Sequence, residues 1–188
     1  MLHRIFIAIN LPEKVKNKLS GFQLKYPSLP ARWTKKENLH ITLIFIGLTT
    51  TEEIQNISES VKQIVQKHKS HLISLNKICY GPPKKMPPRI IWITGEESKE
   101  TSKLYKELKN SFFNSNLKNF KSENRAYYPH ITLARIRGWE FRRIEPEERP
   151  QIKEDVSLNF EVNSIEIMES QLKKTGPEYT ILESIPLQ

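Results

Sequence analysis

The chain has 188 residues, 37% apolar and 27% charged, which excludes a disordered or fibrous protein and suits one domain or a fused pair of similar halves. Thirty Lys and Arg against 21 Asp and Glu leave a formal charge of +9, pointing to a polyanionic partner such as RNA, DNA or an anionic surface, or simply to a basic proteome. The lone cysteine, Cys79, excludes an internal disulfide and a cysteine-rich zinc site, and no apolar run approaches a signal-peptide core or a membrane span, so a soluble, cytoplasmic protein with no membrane partner is expected.

His3 to Asn10 alternates as a half-buried strand does, with Ile5, Ile7 and Ile9 on one face and Arg4, Phe6 and Ala8 on the other. Pro12 then opens a short amphipathic helix carrying Val15, Leu19 and Phe22, which ends before Pro27. Leu39 to Ile46 reads as a second strand. Thr50 and Glu53 have capping-box spacing ahead of Ile54, Ile57, Val61, Ile64 and Val65 at helical intervals. A strand from Leu72 to Tyr80 is followed by Gly81, Pro82, Pro83, Pro87 and Pro88, a breaker-rich stretch expected to connect the two halves. The order then repeats: a strand from Arg89 to Thr94, a helix with Leu104, Leu108 and Phe112, and a strand from His130 to Ile136. The charged segment after Gly138 suits an exposed loop, and two last strands are expected near Phe160 to Glu169 and Tyr179 to Leu187, with Gly176 and Pro177 at the turn.

His-Ile-Thr-Leu occurs twice, at residues 40–43 and 130–133, in a chain with only five histidines. Each copy ends a strand, helix, strand series, so the match extends from letters to context, as an internal duplication requires. Side chains two apart share a strand face, so His40 stands beside Thr42 and His130 beside Thr132, while Ile41, Leu43, Ile131 and Leu133 turn into the core. Packed about a pseudo-two-fold axis, the copies present two imidazoles and two hydroxyls to one cleft. Opening a cyclic phosphodiester needs one group to take a proton from the attacking water and another to give one to the leaving oxygen, and two histidines supply both near neutral pH. The threonine hydroxyls donate to the non-bridging phosphate oxygens. The scheme needs no metal and no cofactor. A lone strand histidine is usually structural, but a duplicated one in matched context argues otherwise.

At these residues the chain resembles the two-histidine (2H) phosphoesterases and, among them, the bacterial and archaeal RNA 2′,3′-cyclic phosphodiesterases, historically called 2′-5′ RNA ligases. The similarity runs through Arg4-Ile-Phe-Ile-Ala-Ile, Arg32-Trp33, Glu37-Asn38-Leu39-His40-Ile-Thr-Leu-Ile-Phe-Ile-Gly47, Pro88-Arg89-Ile-Ile-Trp92, Tyr128-Pro129-His130-Ile-Thr-Leu-Ala-Arg135 and Gly176-Pro177-Glu-Tyr179. The resemblance implies a bilobal α+β fold: one domain over 1–188 made of two related lobes, each an antiparallel sheet with helices, and a cleft between them. It implies hydrolysis of RNA 2′,3′-cyclic phosphate ends to 2′-phosphates, with reversible joining of RNA ends through a 2′-5′ bond. It assigns His40 as proton donor to the leaving 3′-oxygen and His130 as proton acceptor from water, a division that the symmetric motif itself leaves open. Thr42 and Thr132 are implied to contact phosphate and Arg135 to contact phosphate or base, with Phe45 near the nucleoside.

Strict alternation, however, puts Phe45 and Arg135 on the face opposite their histidines, unless a bulge or local twist turns them back. Phe6 and Tyr128 have the better parity for stacking on a base or for plain packing. His68 and His71 have a spacing that suits a metal but lack a third ligand, so a solvated helix end is expected. Arg142 with Arg143, Lys84 with Lys85, and Lys35 with Lys36 are candidates to steer RNA. A monomer is expected, since two halves already complete one site. The rival readings are a non-catalytic RNA-binding module of the same fold and a 2H enzyme acting on another cyclic phosphate or a 2′-5′ oligonucleotide.

Overall fold

A computed structural model describes residues 1–83, 85–115, 117, 120, 127–174 and 176–188. Nine strands and four α-helices alternate along the described chain: β1 (Leu2–Asn10), α1 (Glu13–Ser20), β2 (Ala31–Trp33), β3 (His40–Thr50), α2 (Thr51–Val65), β4 (His71–Gly81), β5 (Ile90–Gly95), α3 (Lys99–Phe113), β6 (His130–Ile136), α4 (Gly138–Phe141), β7 (Lys153–Val162), β8 (Ser164–Lys173) and β9 (Gly176–Pro186). A 3₁₀ turn at Gly21–Lys25 prolongs α1, and another at Lys36–Asn38 leads into β3. Among the described residues no helix is long and apolar enough to cross a membrane.

The strands form one antiparallel sheet in the order β7-β4-β5-β6-β3-β1-β8-β9, with β2 against β6. The two motif strands, β3 and β6, meet at its centre, and each is flanked on its outer side by three more strands. Where two sheets were expected, the halves are joined edge to edge, through the single pair Ile41 and Ile131.

Helices α2 and α3 cover one face. Ile57, Val61 and Val65 of α2 and Leu104, Leu108 and Phe112 of α3 share a buried cluster with Ile5, Ile7, Ile9, Ile41 and Ile131. Truncating one of the buried leucines to alanine would cost about 2–5 kcal/mol. The capping box expected at the start of α2 is present: Thr50 Oγ1 accepts from the Glu53 amide at 3.2 Å, and the Glu53 carboxylate accepts from the Thr50 amide at 2.7 Å. The opposite face carries only a small buried group, Phe6, Ala8 and Met168 with Tyr179 against it. That thinly covered face is where the motif side chains emerge.

Three expectations of connectivity are corrected. The proline-rich stretch joins β4 to β5, which are paired neighbours within one half of the sheet. Apart from the short excursion of β2 to β6, the chain passes between halves after α2 and again at Asn163. Phe160 to Glu169 is therefore two strands: β7 pairs with β4 at one edge of the sheet, and β8 pairs with β1 in the other half. The apolar positions change phase at this crossing, from Leu158, Phe160 and Val162 to Ile165 and Ile167, so a reading as one strand passes over the break. The charged segment after Gly138 opens with α4, whose Phe141 is buried against the Tyr80 ring, while Glu145 to Glu148 are exposed as expected. β2, three residues long, carries no periodicity to detect.

Candidate active site

The pairing of Ile41 with Ile131 brings one residue of the first motif antiparallel to its own counterpart in the second, which defines a local two-fold axis between the strands. Continuing that register by one residue either way sets His40 beside Thr132 and Thr42 beside His130. The burial of the six residues from each histidine onward is the same: His, Thr and the sixth residue reach the surface, while Ile, Leu and the fifth residue are buried.

Within both motifs the register slips at the leucine. Ala8 pairs with Thr42 but Ile7 with Ile44, and Trp92 pairs with Thr132 but Ile91 with Ala134. Leu43 and Leu133 are thus the extra residues of two matched β-bulges, each of which reverses the side-chain parity that follows it. Phe45 and Arg135, which alternation alone places on the far face, return to the histidine face and occupy equivalent positions.

His40 begins β3 directly after the Lys36–Asn38 turn. Its Nδ1–H donates to the Asn38 carbonyl at 2.7 Å, leaving Nε2 to accept from the Thr42 hydroxyl at 2.9 Å. The buried Asn38 side chain in turn donates to the Pro177 carbonyl at 2.7 Å, tying this turn to β9. The imidazole packs 5.1 Å from the Phe6 ring and edge-on to Tyr179 at 5.2 Å. Burial lowers its pKa from 6.5 to about 4; the bond to Asn38 opposes the shift, while the charges of His130, Lys16 and Arg135 add to it. At neutral pH the free protein therefore holds His40 uncharged.

His130 repeats the anchor: its Nδ1–H donates to the carbonyl two residues back, that of Tyr128, at 2.8 Å. Its wall is Trp92, with ring centroids 4.8 Å apart. Trp92 is fixed from behind by its indole N–H, which donates to Cys79 Sγ at 3.2 Å, and by Gly81, where an added Cβ would lie 2.6 Å from the indole. Like His40, His130 is half-buried.

Other side chains complete the surround. The Tyr127 hydroxyl donates to the Thr42 carbonyl at 3.2 Å, with its ring stacked on Tyr105 at 4.2 Å; burial pushes its phenol pKa up. Arg32 of β2 is the cross-strand partner of Arg135, so both stand on the site face. The Arg32 guanidinium lies against Gly176, whose φ is +123° and where a Cβ would sit 1.9 Å from Nη2. Arg135 is close enough to Tyr179 for its charge to lower the phenol's pKa against the stronger upward effect of burial.

The structure thus brings His40, Thr42, Phe45, Phe6, His130, Thr132 and Arg135 to one face. Phe6 is 2% exposed, with its ring 6.0 Å from Phe45 and 5.1 Å from Tyr179, so it underlies the site and offers a base no open surface to stack on. Phe45, at 64% exposed, does offer one. Tyr128 contributes its carbonyl oxygen to His130, while its ring is 65% exposed. Sequence reasoning assigns no role to Asn38, Trp92, Tyr127, Tyr179 or Arg32. All but Tyr127 lie inside the segments that carry the family resemblance.

Several of the other candidates have partners of their own. His68 meets Glu107 at 3.0 Å, and His71 is held between the Lys69 carbonyl and the Thr101 hydroxyl, so both are structural. Lys36 pairs with Glu13 at 2.8 Å, and Arg143 stacks over Trp139 at 4.6 Å. Lys84 lies outside the described residues.

Comparison with known proteins places this geometry. Residues 9–92 match the family model described as LigT like Phosphoesterase. A Methanocaldococcus jannaschii protein named RNA 2′,3′-cyclic phosphodiesterase is 32% identical over 96% of this chain and 98% of its own. The chain belongs to the LigT-like phosphoesterases, within the 2H superfamily. A Thermotoga maritima protein of the same name is 30% identical over 95% of this chain and 92% of that one. A solved structure from Thermus thermophilus superposes on this LigT-like phosphoesterase with a TM-score of 0.83 at 25% identity, covering 98% of this chain and 97% of that one. Escherichia coli LigT complexed with 3′-AMP shares the fold, with a TM-score of 0.81 at 21% identity over 100% of this chain and 99% of that one.

Proposed function

We propose that this LigT-like phosphoesterase hydrolyses RNA 2′,3′-cyclic phosphate ends to 2′-phosphates, with His40 and His130 as its acid and base. The observation that carries the proposal is the two-fold pairing of the motifs, which presents both imidazoles and both threonine hydroxyls on one face of the sheet. The curated relatives that align over nearly the whole chain bear the matching name.

In this scheme Thr42, Thr132 and Arg135 hold the phosphate oxygens, and Phe45 flanks the nucleoside with Phe6 packed beneath. His130 takes a proton from water as the water oxygen bonds to phosphorus. The P–O3′ bond breaks, and His40 Nε2 gives its proton to the departing 3′-oxygen, leaving a 2′-phosphate and a 3′-hydroxyl. The bond from His40 Nδ1–H to Asn38 keeps Nε2 as the nitrogen that faces the substrate. With an RNA 5′-hydroxyl in place of water, the same steps join two ends through a 2′-5′ bond. Because His40 is neutral in the free protein, its role as donor requires that it gain a proton as the anionic phosphodiester enters.

One chain supplies both motifs, so the site works in a monomer, and a lone thiol bonded to Trp92 suits the reducing cytoplasm. The deciding experiment is turnover of a 2′,3′-cyclic nucleotide by purified protein in EDTA, with the product identified chemically. A 2′-phosphate product is expected. A strict metal requirement, or inertness towards a panel of cyclic phosphates and 2′-5′ oligonucleotides, would exclude the proposal.

A further inference from the structure

One residue beyond Arg135, the sheet ends and a cavity of about 580 Å³ opens between Arg89, Ile136, the Lys85–Pro88 stretch and Arg142. Its lining holds three cations, Lys85, Arg89 and Arg142, and no carboxylate. None of the three takes part in an ion pair among the described residues, whereas the adjacent Arg137 is engaged by Glu140 at 3.4 Å. The apolar part is Met86, Pro87 and Ile136, with Met86 70% exposed. Beside the cavity in the chain, Trp139 is 60% exposed and carries the Arg143 guanidinium over its ring.

The floor of this cavity is built from the strands that carry the site. The Ile136 amide donates to the Arg89 carbonyl at 2.9 Å, closing the ends of β6 and β5, and Ile90 pairs with Arg135. A polyanion that leaves the site over Arg135 thus passes directly off the sheet into a pocket whose cations have no acidic partner among the described residues. Resting on the proposed function, we infer that this pocket binds internucleotide phosphates of the single-stranded RNA on the 5′ side of the cyclic end. Charge complementarity favours RNA as the occupant: cations without acidic partners bind a phosphate backbone through ionic contacts and counterion release. The mixed cationic and apolar lining also suits a strand whose bases are unstacked. A cyclic mononucleotide has no such phosphate, so the pocket distinguishes an RNA end from a free nucleotide.

The test compares a 2′,3′-cyclic mononucleotide with a six-nucleotide RNA bearing the same end, using wild type, the double variant Arg89→Ala/Arg142→Ala and the single variant Arg142→Glu, each checked for an unchanged thermal midpoint. The expected result is a rise of about tenfold or more in KM for the oligonucleotide, with its kcat unchanged and mononucleotide kinetics unaltered. The salt dependence of oligonucleotide binding should weaken, its logarithmic slope falling by about 0.7 for each cation removed. Anisotropy of a labelled six-nucleotide RNA with a 3′-phosphate reads the same affinity without turnover. Loss of that affinity in the variants upholds the pocket even if the protein turns over no cyclic phosphate. Equal losses on both substrates, or unchanged oligonucleotide affinity, would overturn it.

Discussion

Ile41 and Ile131 face one another as the single residue pair between β3 and β6, and both are 0% exposed. Both halves of the repeated motif hang from this apolar seam: one residue to either side, along either strand, stands a histidine or a threonine. The pair explains how duplicated sequence becomes one site.

Replacing either catalytic candidate, His40→Ala or His130→Ala, should lower kcat for a cyclic nucleotide by at least about 10²-fold, the usual range for loss of a general acid or base. Circular dichroism should report an unchanged fold in His130→Ala, whose half-buried ring lies at the surface of the sheet rather than in the core. Full activity in either folded variant would refute the two-histidine scheme.

Protonation of His40 should be linked to binding. Its pKa of about 4 in the free protein must rise beside a phosphate anion, so a nucleoside 2′-phosphate binding at pH 6 should take up protons. Calorimetry in buffers of different ionisation enthalpy measures this directly. Binding without uptake would leave His40 neutral and transfer the donor role to His130.

The same shift has a consequence for stability. A histidine whose folded pKa lies below its unfolded value binds its proton more readily in the unfolded chain, so its contribution is intact above about pH 6.5 and is lost as pH falls towards 4. The loss across that window should reach about 3 kcal/mol, at about 1.4 kcal/mol per unit. Urea unfolding at pH 7 and at pH 4.5 should show a smaller acid loss in His40→Ala than in the wild type.

Gly176→Ala should be costly for two separate reasons. The backbone there is left-handed, and the new methyl would meet the Arg32 guanidinium. A loss of about 1–3 kcal/mol is expected in denaturant unfolding, with a raised KM from the displaced Arg32. Thr50→Ala, by contrast, removes only the α2 cap: about 0.5–2 kcal/mol of stability should go, with kcat and KM unchanged.

Relationships within one element are the legible part of this protein. The α2 cap and its apolar stripe, the α3 stripe and the shared face of His40 with Thr42 all follow from local spacing. Partners brought from far along the chain do not: Trp92 reaches His130 across a strand pair, Tyr127 finds the Thr42 carbonyl, and Tyr179 meets His40 from β9. Nor can alternation reveal which half of the sheet a strand joins: the phase shift from Val162 to Ile165 marks a break at Asn163 but not that β7 and β8 lie in different halves. The bulges do leave a trace in the sequence. Leu43-Ile44 and Leu133-Ala134 are adjacent apolar pairs that break the period of two at the same place in both motifs, as an inserted residue must.

Phe45 and Arg135 occupy matching places after those bulges, yet one is an aromatic ring and the other a cation. A perfectly two-fold cleft would be blind to direction and would accept a cyclic phosphate equally well either way round. This mismatch makes the cleft polar: one end is suited to a nucleoside, the other to negative charge. Orientation of the strand, and with it the choice of which ribose oxygen departs, would then be decided at a place where the duplicated halves have ceased to be copies.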